Sequence, residues 1–500
     1  MPNEGTNSGS QRLRACDACR RRKVRCNGQQ RCQQCNHLNL VCVYSANTKG
    51  LSRKNAAQRG TIIDSCRTNA TGTPTPTGTV TSSTSSSSLS LGSIAPIHQP
   101  YSTIHIHPDP SFFTSLLPEY MSSVYPVNPV ITESEVRHCI ERIGSDRDGT
   151  SFLYAYAAVT INLSRIDTVQ FAPDIREQIG DLLTKSFEHR DQLGLNERPT
   201  LLRVMSSLFI EICLMGLHKK DLAFTYLRET ISLLYMLEVD KPEVMSSLPP
   251  HERGRIERAF WECFIHERFS ALTEFKPICL SPLHTPPTAD PLLPPSLDLG
   301  WRLLIQTFSL VDREFVDLWL GDRSQVTSEF IERKHQQLDE WRWEIEVPTL
   351  SPMQKADLII TRQWLRTVTW QMAISNIRLP AENQSESLSL SLPLRLSSEL
   401  RQFLAHMSHK AVGIHGSGIL NKLFEITNTI ADVVIHLPQA STNDTLQRVD
   451  DILALKRFLF SFDRIEKIHK IIMMEKMEKM KQVYPAMAEI DKLVNSPIML

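Results

Sequence analysis

The stretch Ala15-Cys16-Asp17-Ala18-Cys19-Arg20-Arg21-Arg22-Lys23-Val24-Arg25-Cys26, continued by Cys32, Cys35 and Cys42, decides how the amino-terminal segment folds. The six cysteines run C-x2-C-x6-C-x5-C-x2-C-x6-C within 27 residues. Each half repeats one plan, a C-x2-C pair followed by a lone cysteine seven positions on. The C-x2-C spacing lets two sulfurs reach one tetrahedral zinc ion at about 2.3 Å. A four-coordinate ion is one ligand short with three sulfurs. Two ions need eight ligand bonds, and six thiolates supply eight when two of them bridge, so the count predicts a binuclear cluster holding two zinc ions.

A disulfide framework is the other use of paired cysteines. The chain begins with a polar stretch that lacks the apolar run of a signal peptide, which speaks against an oxidising compartment. The other five cysteines, Cys66, Cys139, Cys213, Cys263 and Cys279, are scattered and odd in number, and the last three stand among apolar neighbours. They are expected to be reduced, mostly buried thiols. No run of 18 apolar residues exists, so no membrane span is expected.

Charge points to a polyanion. Residues 11–60 carry twelve Lys and Arg against the single acid Asp17, while the whole chain is formally neutral. A basic head on a neutral protein predicts a nucleic-acid partner for that head, with binding that weakens steeply as salt rises. Arg20 to Arg25 lie between two candidate zinc ligands, on what reads as a short helix fixed at both ends. A nuclear-import signal is the plainer reading of the same run.

These residues, from Ala15-Cys16-Asp17-Ala18-Cys19 through Arg25-Cys26 to Cys42, resemble the fungal Zn₂Cys₆ binuclear-cluster transcription factors. The resemblance implies that Cys16 and Cys32 bridge the ions, with Cys19 and Cys26 completing one site and Cys35 and Cys42 the other. It also implies that Lys23 reads the guanines of a CGG triplet, whose O6 and N7 accept hydrogen bonds in the major groove. Arg22 and Arg25 match positions that meet phosphate, and Arg20 and Arg21 match positions that do either. Lys49, Arg53, Lys54 and Arg59 then track the DNA backbone. Family members usually carry proline just before the fourth cysteine, where this chain has Gln30-Arg31.

The sequence divides into residues 1–11, expected to be disordered, a zinc-cluster domain at 12–45, a basic and then Ser/Thr-rich flexible linker at 46–110, and a large region at 111–500. Of the 20 residues from Thr71 to Ser90, 14 are Ser or Thr, a composition that buries too little apolar surface to offset its ordering entropy. No heptad repeat is found between 43 and 100, so any homodimer is expected to form through the carboxy-terminal region. That region has 390 residues, more than one compact core usually serves. Its pattern is helical: Leu201, Met205, Leu208, Ile212 and Met215 recur at helical spacing, as do Leu455, Phe458, Phe462, Ile465, Ile468 and Ile472. The expected fold class is mainly α, a small zinc-cluster domain joined by a linker to an all-helical regulatory domain. Pro249-Pro250 and the seven prolines from Pro277 to Pro295 punctuate it.

Two stretches resemble the regulatory middle domain of the same family. Tyr125-Pro126-Val127-Asn128-Pro129-Val130-Ile131 is followed by Glu133, Glu135, Val136 and Arg137, and Arg258-Ala259-Phe260-Trp261 by Glu267-Arg268 and Ala271-Leu272, the latter as in maltose-activator-like regulators. Enzymatic constellations are weak. Gly413, Gly416 and Gly418 lack the strand and acidic partner of a dinucleotide loop, His105 and His107 lack a third ligand, and His266-Glu267 reads as a structural pair. The run Met473, Met474, Met477 and Met480 reads as one face of a packed or partner-binding helix. No catalytic residue is assigned, and the chain is not expected to be an enzyme. The expectation is a nuclear, sequence-specific RNA polymerase II transcription factor that binds double-stranded DNA and coactivators. It would activate a secondary-metabolite gene cluster; regulation of carbohydrate use, or repression through the same head, is the alternative.

Overall fold

The computed structural model describes residues 109–165, 173–284, 290–321, 323–340, 345–374, 386–436 and 442–484, together with 15–17, 19, 26, 29, 32, 35 and 42–44. The chain divides into two units, Met1–Ser102 and Thr103–Leu500. In the first, the described backbone is helical at Asp17, Cys19 and Cys35 and irregular elsewhere.

The second unit is helical, with no strand among the described residues. Its helices of eight residues or more are α1 Glu133–Glu141, α2 Arg147–Ser164, α3 Pro173–Glu188, α4 Leu201–Gly216, α5 Lys220–Met236, α6 Pro250–Glu274, α7 Pro295–Ser309, α8 Arg313–Leu320, α9 Ser328–Leu338, α10 Pro352–Ile374, α11 Ser391–Leu404, α12 Gly416–His436, α13 Thr442–Phe460 and α14 Lys467–Val483.

Local chemistry sets the starts of these helices. Asp146 caps α2 by accepting from Gly149 N at 3.2 Å. A Cβ on Gly149 would lie 2.9 Å from that carboxylate, so the bare residue is what lets the cap close over the first turn. Thr200 and Asp312 cap α4 and α8 in the same way, through Arg203 N and Phe315 N. Glu135 reaches back to accept from Thr132 N at 2.9 Å ahead of α1. Pro250 and Pro295 sit at the first positions of α6 and α7, where a missing N–H costs no hydrogen bond. Pro250 and Pro295 are thus helix starts, whereas Pro277 and Pro282 lie in the irregular connection after α6.

Helix α2 is buried from Gly149 through Leu163. It packs on α3 and α4, and α4 pairs with α5. Helix α10 holds a second cluster, packing on α7, α9, α11 and α12, while α14 lies against α12. Between the two stands α6, in contact with α4 and α5 on one side and with α7 and α8 on the other. Among the described residues the expected division into more than one core is not found. One contiguous apolar set runs from Phe113 to Tyr484, with only small satellites around Leu358 and Trp370. The long α6 and α12 each touch α4 as well as helices of the second cluster, which fuses the two halves.

The periodic run from Leu455 to Ile472 belongs to two helices, since α13 ends at Phe460 and α14 begins at Lys467. Phe462 and Ile465 in the turn are buried, and Ile468 is exposed. Among the scattered thiols, Cys139, Cys213 and Cys263 are buried as expected, but Cys279 is exposed. It lies in the irregular connection after α6, where its backbone N–H is held by Glu267 and its sulfur receives an Arg228 N–H. No described helix is long and apolar enough to cross a membrane.

Candidate metal centre

All six cysteines of the amino-terminal motif converge. Cys16, Cys19, Cys32 and Cys35 have no exposed surface, and Cys26 and Cys42 are half-buried against them. Their sulfurs form two four-membered sets, Cys16, Cys19, Cys26 and Cys32 in one, Cys16, Cys32, Cys35 and Cys42 in the other, each within 4.8 Å. Cys16 and Cys32 belong to both. Neighbouring sulfurs lie 3.7 Å apart for Cys16–Cys32, 3.6 Å for Cys16–Cys35 and 3.5 Å for Cys19–Cys32. A tetrahedron with zinc–sulfur bonds of about 2.3 Å has edges of about 3.8 Å, so the donor set fits two zinc ions. The cysteines are positioned to bind both.

The backbone repeats the plan of the sequence. Cys16 N donates to Cys26 Sγ at 3.4 Å and Cys32 N to Cys42 Sγ at 3.3 Å. Cys19 N donates to Cys16 Sγ and Cys35 N to Cys32 Sγ, each at 3.4 Å. Every bond recurs sixteen residues later, so the two halves are structural copies. These N–H groups point at sulfurs that carry negative charge when ligated, and fix their orientation. As thiols, Cys19 and Cys35 are pushed up by burial and then by the hydrogen-bonded sulfurs of Cys32 and Cys16. A divalent cation reverses that bias, because ligation requires the thiolates.

The sequence reading missed how the segment closes on itself. Tyr44 donates its hydroxyl to Gln29 O at 2.7 Å and lies 3.6 Å from Cys26 Sγ, while Asp17 N donates to Val43 O at 2.8 Å. The two residues after Cys42 therefore fasten the end of the second half onto the first. An aromatic residue two positions beyond the last ligand was the available signal. Arg20, Arg21, Arg22, Lys23, Arg25, Lys49, Arg53 and Lys54, the expected DNA contacts, lie outside the described residues.

In the helical body, helix α6 meets the Tyr125–Ile131 stretch. Arg255 Nε donates to Val130 O and Arg258 Nε to Pro129 O, each at 2.7 Å, and the same side chains pair with Glu135 and Asp290. Helix α6 thus grips the Tyr125–Ile131 segment by its carbonyls. Further along α6, the fully buried Glu267 accepts from Cys279 N at 2.7 Å and Leu280 N at 3.0 Å. Arg268 donates to Leu280 O at 2.7 Å and Val311 O at 3.0 Å, with its guanidinium 4.0 Å from the centre of the Phe264 ring. These residues satisfy the backbone of the proline-rich connection after α6, a structural task.

His266 works apart from Glu267. Its Nδ1 lies 2.7 Å from Glu211 on α4, and its Nε2 4.0 Å from Glu262. Burial opposes its charge, but Glu211 and then Glu262 outweigh burial and raise it to about 9. Burial pushes Glu262 up to about 8. A protonated imidazole tying α4 to α6 accounts for the pair. Gly416 takes a left-handed φ of 66° at the turn into α12, and Gly413 ends the short helix His409–Gly413, so the glycines serve a helical corner. Met473, Met477 and Met480 are buried on one face of α14, with Met474 exposed. His105 and His107 lie outside the described residues.

Residues 14–51 match the family described as Fungal Zn(2)-Cys(6) binuclear cluster domain. The chain is also similar over most of its length to yeast proteins of sugar utilization and fermentation. It is 22% identical over 390 residues to the probable sucrose utilization protein SUC1 of Candida albicans, covering 76% of this chain and 74% of that one. It is 20% identical to the maltose fermentation regulatory protein MAL13 of Saccharomyces cerevisiae, covering 84% of each, and 20% identical to MAL63, covering 89% and 90%. With two overlapping four-sulfur sets at its amino terminus, the chain carries a Zn₂Cys₆ binuclear cluster domain at residues 14–51, and over most of its length it is similar to the maltose fermentation regulatory proteins.

Proposed function

We propose that the protein is a nuclear, sequence-specific regulator of RNA polymerase II transcription that binds CGG-type triplets and controls the use of a carbohydrate. The observation that carries this reading is the pair of four-sulfur sets sharing Cys16 and Cys32. In it, Cys16 and Cys32 bridge the two ions, Cys19 and Cys26 complete one site, and Cys35 and Cys42 the other. Zinc supplies the folding free energy of a head too small to hold itself together, roughly 10–16 kcal/mol of apparent binding free energy per structural ion.

Between the two ligands Cys19 and Cys26, Lys23 is held where it donates to guanine O6 and N7. Arg22 and Arg25 take phosphates, Arg20 and Arg21 either, and Lys49, Arg53 and Lys54 follow the backbone beyond the cluster. Domain boundaries follow as 12–45 for the head, 46–110 for the linker and 111–500 for the regulatory body, which receives a signal and contacts coactivators. Control of carbohydrate use is preferred to the secondary-metabolite expectation because the similar proteins are named for sucrose utilization and maltose fermentation. Activation is the working assignment, and repression through the same head is told apart by whether target transcripts fall or rise when the gene is deleted.

Selection of random duplexes by the zinc-loaded full chain tests the reading. Enrichment of CGG triplets is the expected result, and Lys23→Ala should weaken specific binding by about 1–3 kcal/mol. A chain that holds two zinc ions and enriches no motif would refute it. Growth of a deletion strain on single carbon sources tests the pathway, with a defect confined to one sugar class expected and an unchanged profile contradicting it.

A further inference from the structure

Helix α14 uses its inner face fully and leaves its outer face apolar near the amino-terminal end. His469, Met473, Met477 and Met480 are buried, whereas Ile468, Ile471 and Met474 are 52%, 53% and 47% exposed. At about 100° per residue these three fall on one stripe with Lys467, Glu475 and Glu478, opposite the buried methionines. Lys467 and Glu475 are both exposed, and neither makes an ion pair among the described residues. Three neighbouring large apolar side chains on one exposed face mark a contact surface.

The order of residues along the stripe identifies the occupant. It reads Lys467, Ile468, Ile471, Met474, Glu475, positive at one end and negative at the other. Two copies laid antiparallel about an axis at Ile471 place Ile471 on Ile471, Ile468 on Met474 and Lys467 on Glu475. Moving the axis to position 473 would set Ile468 against Glu478 and Ile471 against Glu475. Of these two registers, the first matches apolar with apolar and charge with opposite charge. We propose that this face of α14 docks a second copy of the same chain in an isologous antiparallel helix pair. Three half-exposed side chains per copy fall far short of the roughly 1,600 Å² of a standard interface, so the pair is weak in free solution. It strengthens when two heads occupy neighbouring DNA sites, through effective concentration. That last clause rests on the proposed function; the solution dimer does not.

Sedimentation of the zinc-loaded full chain from sub-micromolar to roughly 100 µM, a range that brackets weak pairing, is the first measurement. A reversible monomer–dimer equilibrium is expected, lost in Ile471→Glu, which sets like charges on the axis. Lys467→Glu should weaken dimerisation several-fold, and combining it with Glu475→Lys should restore it. Ile471→Cys should give an oxidised covalent dimer that mass spectrometry maps to position 471 in both chains, well above Leu222→Cys, an exposed control on α5. A chain that stays monomeric, a dimer indifferent to Ile471→Glu, a charge reversal that fails to rescue, or a bridge no stronger than the control would each overturn the proposal. A failed duplex selection would leave these results untouched, and a monomer would leave the DNA reading untouched.

Discussion

Cys16 and Trp364 have no exposed surface, yet they are buried in different materials. Around Cys16 the apolar neighbours are the other five cysteines and nothing else among the described residues. Around Trp364 stands the contiguous core of the helical body, with Phe260, Phe264 and Phe308 also fully enclosed. The head has sulfur where the body has hydrocarbon. Its order therefore depends on an ion that neutralises and organises six thiolates, while order in the body comes from apolar area removed from water. One chain thus relies on two kinds of stabilisation, and each is expected to be removable without the other.

The largest expected effect breaks the comparison on the head side. A strong chelator should remove both ions and unfold the cluster segment, a loss on the order of 10 kcal/mol for that segment. The helical body should keep its circular dichroism and thermal midpoint. A body that melts earlier after chelation would show that the two units are not independent.

The complementary break is Trp364→Ala. It should cost the body about 3–5 kcal/mol through cavity formation and the loss of its Nε1 bond to Glu425, 2.7 Å long. Zinc content should be unchanged. Calorimetry and metal analysis on the same sample check both halves of that statement.

Arg258→Ala sharpens the account of the body. It removes the donor to Pro129 O and the pairing with Asp290, and should cost about 1–3 kcal/mol. Limited proteolysis should show earlier cleavage between Tyr125 and Ile131, with the rest of the digestion pattern retained.

A pH-dependent effect concerns Glu262, whose carboxyl is raised from 4.5 to about 8 by burial. A raised acid keeps its proton in the folded state after the unfolded chain has lost it. Stability therefore falls as pH rises from about 4.5 to about 8, by about 1.4 kcal/mol per pH unit for one proton. Glu262→Gln should remove that slope. His266 runs in the same direction over a higher window. Raised from 6.5 to about 9, it contributes fully below 6.5, and its contribution is lost as pH climbs through 9. Thermal unfolding from pH 5 to 9 should show the Glu262→Gln curve flatter up to pH 8 and still declining above it.

The sulfur framework of the head was legible in the sequence because thiolates are few and their spacing is rigidly tied to tetrahedral geometry. Six cysteines at a sixteen-residue repeat admit one economical arrangement, and the structure gathers them in it. Tyr44 escaped notice because its role depends on a carbonyl, Gln29 O, that no side-chain pattern encodes. In the body, helical spacing revealed the helices but not their joints. The run from Leu455 to Ile472 kept its period across the turn at 461–466, because Phe462 and Ile465 remain buried there. The carbonyls that Arg255 and Arg258 hold, Val130 O and Pro129 O, lie more than 120 residues away in sequence and are backbone atoms, so only the folded chain reveals them. Cys279 shows the same limit, since apolar neighbours in sequence did not make it a buried thiol.

The most direct test of the central claim is the zinc content of the full chain by native mass spectrometry, beside Cys32→Ser. Two ions per chain are expected, with both sites lost or loosened in the variant because Cys32 belongs to both sulfur sets. A wild-type chain that holds one ion, or a Cys32→Ser chain that keeps two with unchanged affinity, would contradict the shared-sulfur cluster.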